Sequence, residues 1–151
     1  AKQKVVQDIW VSSATGYEPI NKSFFPDGLK AEYFNNKNLE GTPAVRTEEE
    51  LYYDPVNRPP DPFLPKAPMS ARWTGDLLPT VSGEYTLTLK TDDGCRLYLD
   101  DKKLIDSWVD RPATDDKVLV NLEAGKRYKI KVEYFDGGGD CFARLYWKAV
   151  S

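Results

Sequence analysis

The side chains able to do chemistry in this chain are carboxylates, tryptophans and two thiols, because histidine is absent from all 151 residues. Without it, the commonest general base, the usual partner of a Ser or Cys nucleophile and the usual transition-metal ligand are all missing. Cys95 and Cys141 are too few for a zinc site without histidine and too far apart for a Cys-x-x-Cys redox pair. They are either a disulfide, as an even count in an exported domain favours, or two small buried residues. A bridge would tie the strand after Asp92-Asp93-Gly94 to the strand after Gly137-Gly138-Gly139. Paired acids about 5 to 10 Å apart suit glycoside hydrolysis. Adjacent Asp92 and Asp93 in one turn, however, offer no division into a dry acid and a wet base, so the chain is expected to have no catalytic activity of its own.

Trp73, Trp108 and Trp147 present apolar faces of the kind that stack on sugar rings. Trp147 continues the alternation of Ala143 and Leu145, and Trp73 lies in another strand-like stretch, so both are expected in the core. Trp108 stands beside Asp106 and ahead of the polar run 109–116. It either packs against the sandwich edge or borders a ligand site, for which Arg111 and Asp110 are candidate hydrogen-bonding partners unless they are solvated loop charges.

These groups must be positioned by strands. From Glu84 onward the apolar residues recur with period two: Tyr85, Leu87 and Leu89, then Cys95, Leu97 and Leu99, then Val118, Val120 and Leu122. The rhythm continues with Tyr128, Ile130, Val132 and Tyr134, and with Ala143, Leu145 and Trp147. Turn signals separate them at Ser82-Gly83, Asp93-Gly94, Asp100-Asp101, Ala124-Gly125 and Gly137-Gly138-Gly139. Closely spaced strands with such turns indicate an all-β antiparallel sandwich, jelly-roll-like, with little or no helix. Earlier in the chain Leu29, Ala31 and Tyr33 give one short alternation, and Ser70 to Trp73 gives another. Residues 53–68 contain six prolines, which remove backbone donors and fix φ, so a long ordered loop is expected there. Before Asp27 the chain is largely polar around the apolar residues Val5, Val6, Ile9, Trp10 and Val11. Residues 1–27 are therefore read as an N-terminal extension or linker containing an edge strand, and residues 28–151 as the domain.

With 21 Lys and Arg against 24 Asp and Glu, the net charge is −3, and no basic run stands out. Nucleic acid and anionic membrane, which need a positive patch, are not expected partners. No apolar run approaches the roughly 18 to 20 residues that cross a bilayer. A secreted, periplasmic or cell-surface protein whose export signal has been removed is expected.

Several phrases then line up in order: Gly28-Leu29-Lys30-Ala31-Glu32-Tyr33-Phe34, Ala71-Arg72-Trp73-Thr74-Gly75, Gly83-Glu84-Tyr85-Thr86-Leu87 and Thr91-Asp92-Asp93-Gly94-Cys95-Arg96-Leu97-Tyr98. They continue with Leu104-Ile105-Asp106-Ser107-Trp108, Leu122-Glu123-Ala124-Gly125 and Ala143-Arg144-Leu145-Tyr146-Trp147. From about Gly28 to Val150 the chain resembles the protective-antigen-fourteen domain family, a β-sandwich module of anthrax-type toxins, flocculin adhesins and many glycoside hydrolases. The resemblance implies a sandwich fold and a glycan partner, with Asp92 and Asp93 at the carbohydrate site, to which the reading of the loop above adds Trp108 and Arg111 as candidate carbohydrate-binding residues. In the adhesin branch it also implies a calcium ion held by two consecutive aspartates joined by a cis peptide, the positions of Asp92 and Asp93; the loop with Asp136 and Asp140 is the candidate source of further ligands in this chain. Calcium takes about six to eight oxygens, so one loop alone does not suffice. The run Asp136-Gly137-Gly138-Gly139-Asp140 lacks the asparagine-bearing loop of the adhesins, and Asp-Asp-Gly also shapes turns without metal. The function expected is a carbohydrate-binding module beside a catalytic domain of a larger glycoside hydrolase or within a surface protein. The alternative is an architectural insertion shaping the active-site mouth of a hydrolase such as a β-glucosidase.

Overall fold

The computed structural model describes residues 17–150, which form two antiparallel sheets packed face to face. The strands in chain order are β1 (Glu18–Pro19), β2 (Leu29–Phe34), β3 (Ala44–Glu48), β4 (Tyr52–Tyr53), β5 (Met69–Leu77), β6 (Gly83–Asp92), β7 (Cys95–Leu99), β8 (Lys102–Ser107), β9 (Thr114–Leu122), β10 (Tyr128–Asp136) and β11 (Phe142–Ala149). A five-stranded sheet runs β1-β11-β6-β9, with β4 also on β11, and a six-stranded sheet runs β3-β2-β5-β10-β7-β8. The single helical turn among the described residues is the 3-10 segment Lys22–Phe24, capped by the Asn21 side chain accepting from the Ser23 N–H.

The period-two pattern does what a pleated strand requires, sending alternate side chains to opposite faces. Tyr85, Leu87 and Leu89 of β6 meet Ala143, Leu145 and Trp147 of β11 on one inner face, and all six are at most 1 % exposed. The opposing layer supplies Leu29, Ala31 and Tyr33, then Ala71 and Trp73, then Ile130, Val132 and Tyr134. Trp73 and Trp147 are core residues, as their places in the alternation require.

On the solvent side of the six-stranded sheet, one cross-strand row is charged. Glu32 faces Arg72, Arg72 faces Glu133, Glu133 faces Arg96 and Arg96 faces Asp106 in the strand registers. Ion pairs of 3.7, 3.1, 3.1 and 3.5 Å join them in that order. Opposite charges at directly paired positions favour this register over slipped ones, although each partly exposed pair stabilises by only about 0.2–1 kcal/mol.

The proline-rich stretch after β4 is a loop, held down by Arg46. Its Nη2 donates to Asp61 at 2.7 Å and its guanidinium lies 4.5 Å from the Phe63 ring centre. Glu48 gathers the same region inward by accepting from Tyr33 Oη at 2.6 Å, Trp73 Nε1 at 2.9 Å and Arg46 Nε at 2.9 Å.

Two sequence expectations change. Residues 17–27, assigned to an extension, join the sandwich: β1 pairs with β11, and Ile20 and Phe25 enter the core. The apolar residues Val5 to Val11 lie outside the described residues. Cys95 and Cys141 are free thiols, not a bridge. Cys95 is wholly buried with its Sγ 3.4 Å from Asp116, whereas Cys141 lies half-buried among the charges of Asp136, Asp54, Asp92 and Asp140.

Candidate functional site

The acidic residues collect where β6 and β10 end. The last residue of β6 is Asp92, the Asp92–Asp93 peptide is cis, and the chain then re-enters the other sheet at β7. Asp93 is clamped to β10 by main-chain bonds: its N–H donates to the Phe135 carbonyl at 3.1 Å, and the Phe135 N–H donates to the Gly94 carbonyl at 3.1 Å. Gly94 has to be glycine because residues 107–109 cross directly over it. A Cβ there would stand 2.6 Å from both the Phe135 ring and the Ser107 carbonyl, and 2.7 Å from Val109 N.

The Asp93 carboxylate is buried and fixed at both oxygens by backbone amides. Arg111 N–H reaches Oδ1 at 3.0 Å, and Gly137 N–H reaches Oδ2 at 2.8 Å. Asp136, at the end of β10, is also buried, and its Oδ1 accepts from Gly138 N–H at 2.9 Å. Burial pushes the Asp136 carboxyl above its ordinary value; the Gly138 bond opposes this and the Asp93 charge adds to it. Asp92 is half-buried, and its carboxyl is likewise raised, by desolvation first and then by the charges of Asp93, Asp140 and Asp136. The four aspartates singled out in the sequence therefore share one electrostatic neighbourhood.

Two further carboxylates belong to it: Asp54, which the sequence reading did not single out, and Asp110, which it named as a hydrogen-bonding candidate. Asp54, buried and accepting from Asn57, acts on Cys141 together with Asp136, Asp92 and Asp140. Asp110 Oδ1 lies 2.9 Å from where a Gly137 Cβ would be. Lys37, with its Cδ 3.7 Å from the same point, is the cation on the rim.

Arg111 and Trp108 are both engaged by the protein's own groups. The Arg111 guanidinium turns inward: Nε donates to the Asp93 carbonyl at 3.1 Å, and Nη2 donates to Thr91 Oγ1 at 2.9 Å and to Asp116 Oδ2. Trp108 is gripped between Arg96, whose guanidinium lies 4.0 Å from its ring centre, and Phe135, at 4.9 Å. Both residues fasten the loop after β8 over Asp93. A loop sequence looks solvated until the strand beneath it supplies buried acceptors and rings for its long side chains.

An all-oxygen donor set of this kind suits a hard cation such as calcium and not a soft transition metal. Among the described residues, however, no three or more acidic or cysteine side chains are grouped so as to hold a metal ion by themselves.

A family model described as the PA14 domain matches residues 26–150. The chain belongs to the PA14 domain family. This PA14 domain is 39% identical over 124 residues to the anti-sigma-I factor RsgI3 of Acetivibrio thermocellus, a match covering 82% of this chain and 19% of that protein. A solved anti-sigma factor domain-containing protein from Clostridium clariflavum is similar at 34% identity with a TM-score of 0.73, across 82% of this chain and 42% of the other. The solved PA14 sugar-binding domain from an RTX adhesin shares the fold at a TM-score of 0.62 and 14% identity, covering 82% of this chain and 90% of that one. The chain thus spans less than half the length of its anti-sigma relatives.

Proposed function

We propose that this PA14 domain recognises carbohydrate at the acidic end of its sandwich, through Asp92 and Asp93, and does so without catalysing a reaction. The observation that carries the reading is the unequal treatment of the two carboxylates. Asp93 is held rigid by two backbone amides, while among the described residues no N–H reaches the half-exposed carboxylate of its neighbour Asp92. A fixed carboxylate beside one with uncommitted lone pairs offers adjacent sugar hydroxyls their acceptors. The fold shared with a sugar-binding PA14 domain supports the same reading. Affinity for a single sugar is expected to be modest, because hydroxyl–water bonds are exchanged for hydroxyl–protein ones of similar strength.

Calcium, if bound, would be held by Asp92 and Asp93 with help from Asp136 and Asp140, and would offset the mutual repulsion of these carboxylates while polarising ligand hydroxyls. The similarity to part of an anti-sigma factor supports a regulator as the parent protein, beside the glycoside hydrolase or surface protein expected from the sequence. A glycan-array screen with calcium and with chelator, alongside an Asp92→Ala, Asp93→Ala variant, tests the proposal. Binding that disappears in the variant supports the site, and its further loss in chelator supports the metal. Well-folded protein that binds no glycan would point to an architectural role.

A further inference from the structure

The acidic site continues onto an aromatic surface that the sequence did not single out. Phe142 is directly opposite Asp92 in the β11–β6 register. Ala143, Leu145 and Trp147 of β11 are buried, so Phe142, Arg144 and Tyr146 project from the outer face of the five-stranded sheet. Phe142 is half-buried there, and the Tyr52 ring meets it edge-on at 6.3 Å. Cations flank both rings: Lys90 Nζ lies 5.9 Å from the Phe142 centre, and the Arg144 and Arg58 guanidinium groups lie 3.7 and 4.5 Å from the Tyr52 centre. One hydroxyl locks Phe142 to Asp92. Tyr134 Oη donates to the Asp92 carbonyl at 2.6 Å and accepts from the Phe142 N–H at 3.2 Å.

Directly opposed residues of an antiparallel pair have Cβ atoms only about 4.5–5.5 Å apart. A ligand gripped by Asp92 that is longer than one unit and leaves along β11 therefore crosses the Phe142 ring. We propose that Phe142, backed by Tyr52, is a stacking subsite for the sugar unit next to the one held at Asp92 and Asp93, so that the ligand is an oligosaccharide and not a single sugar. This rests on the carbohydrate reading above. The apolar C–H face of a pyranose matches an aromatic ring, and Lys90 and Arg144 beside it donate to ring hydroxyls.

The test is calorimetric titration with β-1,4-linked gluco-, xylo-, manno- and galacto-oligosaccharides of one, two, three and six units. Affinity in a series that binds is expected to rise about tenfold from one unit to two or more. Phe142→Leu, which keeps apolar bulk but removes the ring, should abolish that rise and leave single-sugar affinity within about twofold, while Phe142→Trp should retain it. Length-independent affinity, or a length dependence that survives in Phe142→Leu, overturns the subsite. Loss of single-sugar binding in Asp92→Ala, Asp93→Ala would in that case leave the carbohydrate reading standing. Failure of every series to bind would remove both.

Discussion

Arg111 grips Asp93 twice: its main-chain N–H donates to Asp93 Oδ1 at 3.0 Å and its Nε donates to the Asp93 carbonyl at 3.1 Å. The same guanidinium pairs with Asp116, so one side chain ties the loop after β8 both to the turn that carries the site and to the edge strand β9. Arg111→Ala leaves Asp116 without its cation and removes the Nε bond to the Asp93 carbonyl and the Nη2 bond to Thr91 Oγ1, while the main-chain bond to Asp93 Oδ1 stays. We expect a loss of about 2–4 kcal/mol in urea unfolding. Arg111→Lys should recover only part, because an ammonium cannot reproduce the fork. Unchanged stability in Arg111→Ala would show that the inward pose is not maintained in solution.

The carboxyls respond to pH in opposite senses. At Asp116 burial pushes upward, but the Arg111 bond and charge, with donors from Cys95 and Ser107, outweigh it and hold the group below its ordinary value. Its contribution to stability is present above the unfolded value of about 3.9 and is lost as pH falls through the lower folded one. Asp92 and Asp136 are raised, so their contribution is complete below about pH 3.9 and lost as pH rises through their folded values. In metal-free protein Asp136→Asn should therefore raise Tm at pH 7, with the gain vanishing in acid. Calorimetric scans from pH 3 to 8 check this, and a lower Tm at pH 7 would contradict it.

Glu48 collects three donors, two of them from the core residues Tyr33 and Trp73. Glu48→Ala leaves these donors unpaired and frees Arg46 from one of its anchors. A cost of about 2–4 kcal/mol is expected, against about 1–2 kcal/mol for Glu48→Gln, which retains an acceptor. Limited proteolysis should cut within residues 54–68 faster in Glu48→Ala than in wild type; equal rates would mean that the loop is held independently of this network.

Two glycines separate contact from backbone conformation. Gly94 is hemmed in by the Phe135 ring and two main-chain atoms within 2.7 Å of any added Cβ, so Gly94→Ala should cost about 3 kcal/mol. Gly41 has open space but φ of +82°, so Gly41→Ala should cost only about 1 kcal/mol. Denaturant midpoints of both variants check the order, and reversal would contradict the crossing of residues 107–109 over Gly94.

The strands from β6 to β11 were legible wherever one face is buried, because burial enforces alternation: Tyr85, Leu87 and Leu89, or Ile130, Val132 and Tyr134, carry the pattern unaided. β3 and β8 were not, since both are edge strands whose Ala44-Val45 and Lys102-Lys103 starts face solvent. β1 was hidden by its length of two residues and its Pro19. At the site, Asp92 and Asp93 stood out through the family phrase around them. Asp54 and Phe142 did not, because only cross-strand pairing to β11 and β6 brings them beside Asp92. Trp108 and Arg111 were read as ligand contacts for a similar reason. Nothing local in the run 107–112 indicates that Phe135, Arg96 and Asp93, from three other segments, lie beneath it to receive those side chains.

The most direct measurement of the central claim is amide chemical-shift mapping of the 15N-labelled domain during titration with a glycan selected on the array, with and without calcium. Saturable shifts centred on Asp92, Asp93, Arg111 and residues 136–142, absent in the Asp92→Ala, Asp93→Ala variant, are predicted. Shifts centred instead on β3 or on the charged row from Glu32 to Asp106, with the acidic end unmoved, would contradict the account.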